Sequence, residues 1–166
     1  MAWPKGQKRP LPKQPANPYA GVTGLRLNLG CGPNKLDHYL NIDKADFADL
    51  SLDLELAKLP FDNNSVIEVL ADQVMEHITN LIPLMNELYR VMAPGAKLKI
   101  SVPHVPYQEA FQDPTHVRFF TDMSWEYWNA NSFYWQEVGK TYGIKPFQHV
   151  NLSKDGWVLK ATLVKA

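Results

Sequence analysis

The sequence predicts an α/β domain built on a mainly parallel sheet, with an antiparallel hairpin at its C-terminal end. Two observations support this fold class. Short apolar strands and one amphipathic helix follow one another between residues 25 and 103, and Lys154-Asp155-Gly156 separates two alternating runs near the end. In such sheets, ligands bind beyond the carboxyl ends of the strands, where the connections change direction.

Length and composition indicate one globular domain. The chain has 166 residues, of which 45% are hydrophobic and 20% are charged. Residues 1–20 hold four basic residues, five prolines and no acid, so we expect a basic, proline-rich tail before a single domain at 21–166. No apolar run reaches the about 20 residues that cross a bilayer, and Cys31 is the sole cysteine. A cytoplasmic protein without membrane contact is therefore expected.

Strands are predicted wherever short apolar runs are bounded by turn residues. They lie at residues 25–29, 38–43, 50–54, 66–71, 96–103, 146–153 and 157–165. The first two are too close for a crossover helix, since a parallel connection usually needs about a dozen residues. We expect a loop with at most one helical turn between them.

Two helices are predicted. Apolar residues at helical spacing indicate an amphipathic helix within residues 77–95, with Thr79 or Asn80 as its cap and a Pro-Gly pair as its stop. A shorter helix is expected from Asp122 to about Ala130.

The stretch "LNLGCGPNKLDHYLNID" at 27–43 ends one strand in two glycines around a cysteine and the next strand in Asp43. Glycines let the backbone approach a ligand, and the exposed N–H groups of such a turn bind anions. An aspartate at the next strand end accepts hydrogen bonds from a ribose diol. The pattern predicts a site for a nucleoside with an anionic end. It lacks the third glycine of the nicotinamide fingerprint, where Lys35 stands, and the ending of a P-loop. A plain tight turn with a surface aspartate is the alternative.

Together with "LDLELAKLPFDNNSVIEVLADQVMEHI" and "LYRVMAPGAKLKISVPH", this stretch resembles the class I S-adenosylmethionine-dependent methyltransferases. It is most similar to a small type-11-like subgroup with a shortened connection after the first strand. The resemblance covers roughly residues 25–125. It implies a minimal version of that Rossmann-like fold, S-adenosyl-L-methionine as the cofactor, and S-adenosyl-L-homocysteine as the product.

The resemblance also implies cofactor contacts. In the family, the glycine turn wraps the methionine moiety and the acid of the second strand holds the ribose; these positions correspond to Gly30, Cys31 and Gly32, and to Asp43. A later acid contacts the adenine, and Asp53, followed by Leu54, stands at that position. The end of the fourth strand lines the sulfonium region, which corresponds to Asp72 and Gln73. Two departures stand out: Asn28 replaces the usual acid, and Pro33 follows Gly32 instead of a small residue.

The segment "VPHVPYQEAFQDPTHVRFF" follows the fifth strand and holds the candidate catalytic groups. Methyl transfer needs an aligned acceptor and a proton acceptor, and a neutral histidine suits the second role near pH 7. We expect His104 or His116 as the base, with Asp113 orienting it. Tyr107 and Arg118 would contact the acceptor, Arg118 through an anionic group.

Each of these residues has a structural alternative. Asp113-Pro114-Thr115 is also a turn sequence, and Arg118 could pair with an acid. A metal site from His104, Asp113 and His116 matches no ligand motif, so no metal is expected. Glu76-His77 precedes the long helix, where it either faces the cofactor cleft or caps the helix.

The sequence thus predicts methyl transfer from S-adenosylmethionine to an oxygen or nitrogen of an unidentified acceptor, a small molecule or a group on a macromolecule. Two alternatives stay open. One is a methyltransferase-like module that binds the cofactor without turnover, and the other is a nucleic-acid-binding protein that uses the basic tail. The aromatic-rich segment at 125–135 is interpreted as core, as a stacking wall for substrate, or as an oligomer face.

Overall fold

The structure is a computed structural model that describes residues 17–56 and 58–166. Within them, seven strands form one sheet. They are β1 Leu25–Leu29, β2 Leu40–Asp43, β3 Leu50–Ser51, β4 Val66–Asp72, β5 Met92–Pro103, β6 His149–Asp155 and β7 Val158–Val164. The order across the sheet is β3-β2-β1-β4-β5-β7-β6. The first five strands pair in parallel, whereas β7 is antiparallel to both β5 and β6. The predicted fold class is therefore confirmed.

The order of the strands determines where a ligand can bind. The chain runs outward from β1 to β2 and β3, then returns to place β4 on the other side of β1. This reversal opens a crevice beyond the carboxyl ends of β1 and β4, which is the usual ligand position in open α/β sheets. Gly30 follows β1, Asp43 ends β2 and Asp72 ends β4, so all three lie at this edge of the sheet.

The helix α1 spans Leu81–Val91 and packs a stripe of five apolar residues into the core. Its start is held by Glu55, whose carboxylate accepts the backbone N–H groups of Thr79 and Asn80. Burial alone would raise the pKa of Glu55, but these hydrogen bonds lower it overall. A carboxylate at this position also favours the helix because it faces the positive end of the dipole.

The helix ends four residues before the predicted stop at residue 95. Met92 is already extended and pairs with Val66, so β5 begins there rather than at residue 96. Pro94 disfavours a helical Ala93, which reinforces the early end. No helix in the described part of the chain is long and apolar enough to cross a membrane.

The predicted helix after Thr121 is present as a short 3-10 segment at Asp122–Trp128, with a capping box between Thr121 and Ser124. Trp125 and Trp128 from this segment are buried in the core. Phe120 stacks on Trp125 at 5.0 Å between ring centroids. Phe133, by contrast, is 71% exposed, so an oligomer face in this segment remains a prediction.

The last residues of the predicted tail pack against the domain. The Tyr19 ring lies 5.2 Å from that of Phe61, and the Asn17 side chain donates a hydrogen bond of 3.0 Å to Asp62. Residues 1–16, which carry all the basic residues of that tail, lie outside the described residues.

The hydrophobic core lies on one side of the sheet. Leu27, Val69 and Leu98 point to this side and pack with α1 and the aromatic segment. Successive side chains of a strand point to opposite faces of the sheet, and the face away from the core is polar along β1, β4, β5 and β7. It carries Arg26, Glu68, Lys97, Lys99, Lys160 and Thr162. No helix among the described elements covers this face. Glu68 is its central charge, because it pairs with Arg26 and Lys99 and accepts a hydrogen bond of 2.8 Å from the Tyr39 hydroxyl.

The connection from β1 to β2 contains no helix, as predicted, and buried amides hold it instead. Asn41 Oδ1 accepts hydrogen bonds from the Leu36 N–H (2.8 Å) and from Asn28 Nδ2 (2.9 Å). Asn41 Nδ2 donates to Asp49 Oδ2 at 2.7 Å, and Asn28 Nδ2 also approaches the Asn34 carbonyl at 3.2 Å. Asn28, which stands where the family usually has an acid, thus forms part of the network that fixes this loop.

Replacing Asn41 by Ala is expected to lower the free energy of unfolding by about 2 kcal/mol, because the Asn28 amide and the Leu36 N–H would lose their acceptor. Urea denaturation measures the change. Asn151, an exposed asparagine on β6, supplies the control, since its change to Ala should stay within about 0.5 kcal/mol. Equal losses in the two variants would contradict the proposed role of Asn41.

Candidate active site

A cavity of about 450 Å³ lies at the carboxyl ends of the strands. Five of the eight predicted cofactor residues line it together: Gly30, Asp43, Asp53, Leu54 and Gln73. Val74, His77 and Thr115 line it as well. A larger cavity of about 550 Å³ surrounds Pro60 and Arg90 near the start of β4, and it contains none of the predicted site residues.

The glycine turn needs its glycines for two separate reasons. Gly30 has a φ of +58°, and a Cβ there would lie 2.5 Å from Val74 Cγ2, so no other residue fits without displacing the cavity wall. Gly32 also has a positive φ of +49°. Its N–H donates a hydrogen bond of 3.0 Å to Asp43 Oδ2.

Asp43 has two tasks in this arrangement. Its carboxylate accepts the Gly32 N–H through Oδ2 and the Ala45 N–H, at 3.1 Å, through Oδ1. Each oxygen keeps a further lone pair, and the residue lines the cavity. Asp43 therefore both fixes the glycine turn and offers an acceptor to a ligand.

Cys31 and Asp72 line a different cavity, of about 450 Å³, on the polar face of the sheet. Ser101 Oγ donates a hydrogen bond to Asp72 there. Gln73 has a φ of +53°, and this turn separates it from Asp72 and brings it to the candidate site. Burial raises the pKa of the buried Cys31 thiol, and the Asp43 carboxylate adds to this effect. Both causes favour a packing role for Cys31 over a nucleophilic one.

The two candidate bases occupy different surroundings. His104 follows β5 and is buried, and its Nε2 lies 3.0 Å from Asp122 Oδ1. The exposed Tyr107 ring stands 6.0 Å from the His104 ring, and neither residue lines the candidate site. The His116 ring lies 4.9 Å from the ring of His77, which does line it.

Residues 113–118 are bound to the turn that follows β4. The N–H groups of Val117 and Arg118 donate to the Glu76 carbonyl at 2.9 and 3.1 Å. Arg118 Nε donates to the Ile78 carbonyl at 2.6 Å, and its Nη2 donates to the Thr79 carbonyl. These donors brace the two segments, so contact between Arg118 and an acceptor remains a prediction.

The hydrogen bonds of the cluster fix the tautomers of both histidines. Thr115 Oγ1 donates its single proton to Asp113 Oδ1 at 2.6 Å, so the contact of 3.0 Å with His77 Nδ1 requires His77 to be the donor. His116 Nδ1 lies 3.0 Å from the Ala110 carbonyl, which can only accept. Each ring therefore carries a proton on Nδ1, and in the neutral form its lone pair lies on Nε2.

Glu76 lies beside these histidines and is only 1% exposed. Neither carboxylate oxygen has a hydrogen-bond partner among the described residues. Burial raises the pKa of Glu76 to about 7, although the nearby His116 opposes the shift. The sequence predicts Glu76 and His77 either as cleft residues or as a helix cap. The signal that marks them is an acidic residue next to a histidine, four residues after a strand that ends at the ligand crevice.

Solved structures similar to this chain include S-adenosylmethionine-dependent methyltransferases. One from Archaeoglobus fulgidus has a TM-score of 0.62 at 12% identity, and the alignment covers 89% of each chain. A possible histamine N-methyltransferase from Thermotoga maritima has a TM-score of 0.57 at 14% identity, over 86% of this chain and 83% of the other. A putative methyltransferase of Haloferax volcanii, solved with the activator Trm112, has a TM-score of 0.54 at 12% identity, over 87% and 84%.

Phosphoethanolamine N-methyltransferase 2 from Haemonchus contortus is longer than this chain: the alignment covers 87% of this chain and 49% of the other, with a TM-score of 0.56 at 14% identity. A methyltransferase from Mesorhizobium loti aligns over only half of this chain and 48% of its own, with a TM-score of 0.40. No protein-family model and no curated protein matches the chain. At these identities the similarity establishes the fold, so the chain has the Rossmann-like fold of the class I S-adenosylmethionine-dependent methyltransferases, as the resemblance implied.

The raised pKa of Glu76 predicts a pH dependence of stability. Between the ordinary value of 4.5 and about 7, the folded state holds a proton on this carboxyl that the unfolded state has lost. Stability should therefore fall as pH rises through this window, by about 3 kcal/mol at most.

Urea denaturation of the wild-type protein and of Glu76→Gln at pH 5 and pH 8, in buffer with EDTA, measures this effect. The glutamine variant should lose less stability between the two pH values, because it has no proton to release. Glu137, which is exposed, gives the control variant Glu137→Gln, and this should behave as wild type. Parallel losses in all three proteins would show that Glu76 does not titrate in this range.

Proposed function

We propose that the protein is a methyltransferase that uses S-adenosylmethionine and transfers the methyl group to an oxygen or nitrogen of an acceptor. The observation that supports this most directly is the cavity that Gly30 and Asp43 line at the switch point of the sheet. These residues come from the sequence motif of the resemblance, and the fold around them is that of the same class of enzymes.

The residues of the cavity match the parts of this cofactor. Gly30 lines the cavity without a side chain, so its backbone can approach the methionine moiety. The free lone pairs of Asp43 suit the two hydroxyls of a ribose. Asp53 and Leu54 offer an acceptor and an apolar contact for the adenine. When bound, the cofactor supplies an electrophilic methyl group on its sulfonium.

The acceptor side of the reaction requires alignment and a group that takes up a proton. His116 is better placed for this than His104, because its ring contacts His77 at the cavity while His104 faces Asp122. Asp113 supports the cluster through Thr115. Tyr107 stays a proposed contact for a larger acceptor, since it is 46% exposed beside His104.

The alternatives of the sequence analysis make different predictions. A binding module without turnover would use the same cavity and leave S-adenosylmethionine intact in the presence of acceptors. A nucleic-acid-binding protein would depend on the basic residues of the tail, which lie outside the described residues. The similar Haloferax volcanii protein forms a complex with an activator, so a protein partner is a further proposal for this chain.

Calorimetric titration with S-adenosylmethionine and S-adenosylhomocysteine tests the proposed site. Both ligands should bind, and NAD should not. Asp43→Ala should weaken binding at least about tenfold, because the ribose loses a charged acceptor and Gly32 loses its hydrogen bond.

Asp37, an exposed aspartate of the same connection, provides the matched control Asp37→Ala, which should bind as the wild type does. Affinities within twofold of one another for wild type and Asp43→Ala would refute the site. Absence of binding in the folded wild-type protein would refute the proposed function.

A further inference from the structure

We infer that Glu76, His77 and His116 form a binding site for one divalent transition-metal ion of the zinc class, next to the cofactor cavity. One ligand atom from each of these residues lies within 4.8 Å of the other two. Ligands of a tetrahedral zinc ion stand about 3.4 Å apart, so modest side-chain rotations bring the three atoms into place. Two histidines and one glutamate, with a fourth position open, are a donor set of catalytic zinc sites.

The hydrogen bonds around the histidines already prepare them as ligands. A metal ion binds the unprotonated ring nitrogen, and a donor bond from the other nitrogen fixes the ring. His77 makes this bond to Thr115, which is itself held by Asp113, and His116 makes it to the Ala110 carbonyl. In the neutral form of each ring, Nε2 therefore carries the lone pair that a metal ion would bind.

Glu76 supplies the second, independent indication of a ligand. A buried carboxylate without a hydrogen bond costs several kcal/mol unless it is protonated or a cation compensates its charge. Both oxygens of Glu76 are in this state among the described residues. Asp113 Oδ2 lies 4.0 Å from His116 Nε2 and adds a second negative charge to the surroundings. A divalent ion would neutralise the pair and coordinate the unpartnered oxygens.

The position of the cluster connects it with the proposed reaction. His77 and Thr115 line the cofactor cavity, whereas Glu76 is buried behind them. The open coordination position would thus be reached from the cavity. This part rests on the proposed function: an acceptor oxygen or nitrogen bound there would release its proton to solvent at lower pH, because a metal ion lowers the pKa of its ligands. With the ion bound, His116 would be a ligand and would no longer act as the base.

The full-length protein, freed of metal with EDTA and dialysed, should be titrated with Co²⁺ by visible absorption and with Zn²⁺ by competition against a chromogenic chelator. Cobalt in a tetrahedral site gives intense visible bands, which report the geometry directly. Wild type should bind one ion per chain, and Zn²⁺ should raise its Tm by linkage. Glu76→Gln and His77→Ala should lower the affinity by about 100-fold.

A matched control comes from His38, an exposed histidine with a φ of +66°. Asparagine tolerates this conformation, so His38→Asn should fold and bind the ion as wild type does. Circular dichroism verifies the fold of each variant. Glu76→Gln keeps the volume of the side chain and removes the buried charge, so it remains a fair test if His77→Ala is destabilised.

The proposed site is overturned if wild type binds no stoichiometric ion, or if Glu76→Gln binds it within twofold of wild type. The same preparations titrated with S-adenosylmethionine separate this result from the proposed function. Cofactor binding without metal binding would overturn the metal site alone. Metal binding without cofactor binding would support the metal site and count against the methyltransferase.

Discussion

The short connection between β1 and β2 is the constraint on which the rest of the structure depends. Buried backbone groups must find partners, and a helix would normally provide them at this place in the fold. Here the side chains of Asn28, Asn41 and Asp43 do so, by binding Leu36 and Gly32 across the loop. The same contacts hold the glycine turn open toward the cavity. The geometry of the site is therefore a direct result of how the chain satisfies a connection without a helix.

The proposed acceptor side is built from two short segments. The turn after β4 and residues 113–118 are joined by backbone hydrogen bonds to the Glu76 carbonyl and by the Arg118 guanidinium. This junction leaves the Glu76 carboxylate buried and surrounds it with two histidines. Burying an unpartnered carboxylate lowers the stability of the folded state, and groups with a pKa perturbed in this way cluster at functional sites.

Most of the fold could be predicted from the sequence, and five of the eight predicted cofactor residues line the candidate cavity. β1 and the hairpin were predictable because alternation and Asp-Gly act locally. The end of α1 was not, since Met92 suits both a helix stripe and a buried strand, and its pairing with Val66 decides the outcome. Gly30 and Asp43 belong to one local motif, and both line the candidate cavity. Asp72 was predicted at the sulfonium region together with Gln73, but it lines the other cavity, on the polar face of the sheet. The meeting of Glu76 with His116 depends on segments forty residues apart.

The polar face of the sheet has a consequence for the thermodynamics of the whole molecule. Unfolding raises the heat capacity when apolar surface meets water, and exposing polar surface lowers it. Lys97, Lys99 and Lys160 are already exposed to water in the folded state. This side of the central strands therefore adds little to the heat-capacity change of unfolding. The protein should therefore have a flatter stability curve than a parallel sheet buried on both sides, with weaker cold destabilisation and a broad temperature range of nearly constant stability.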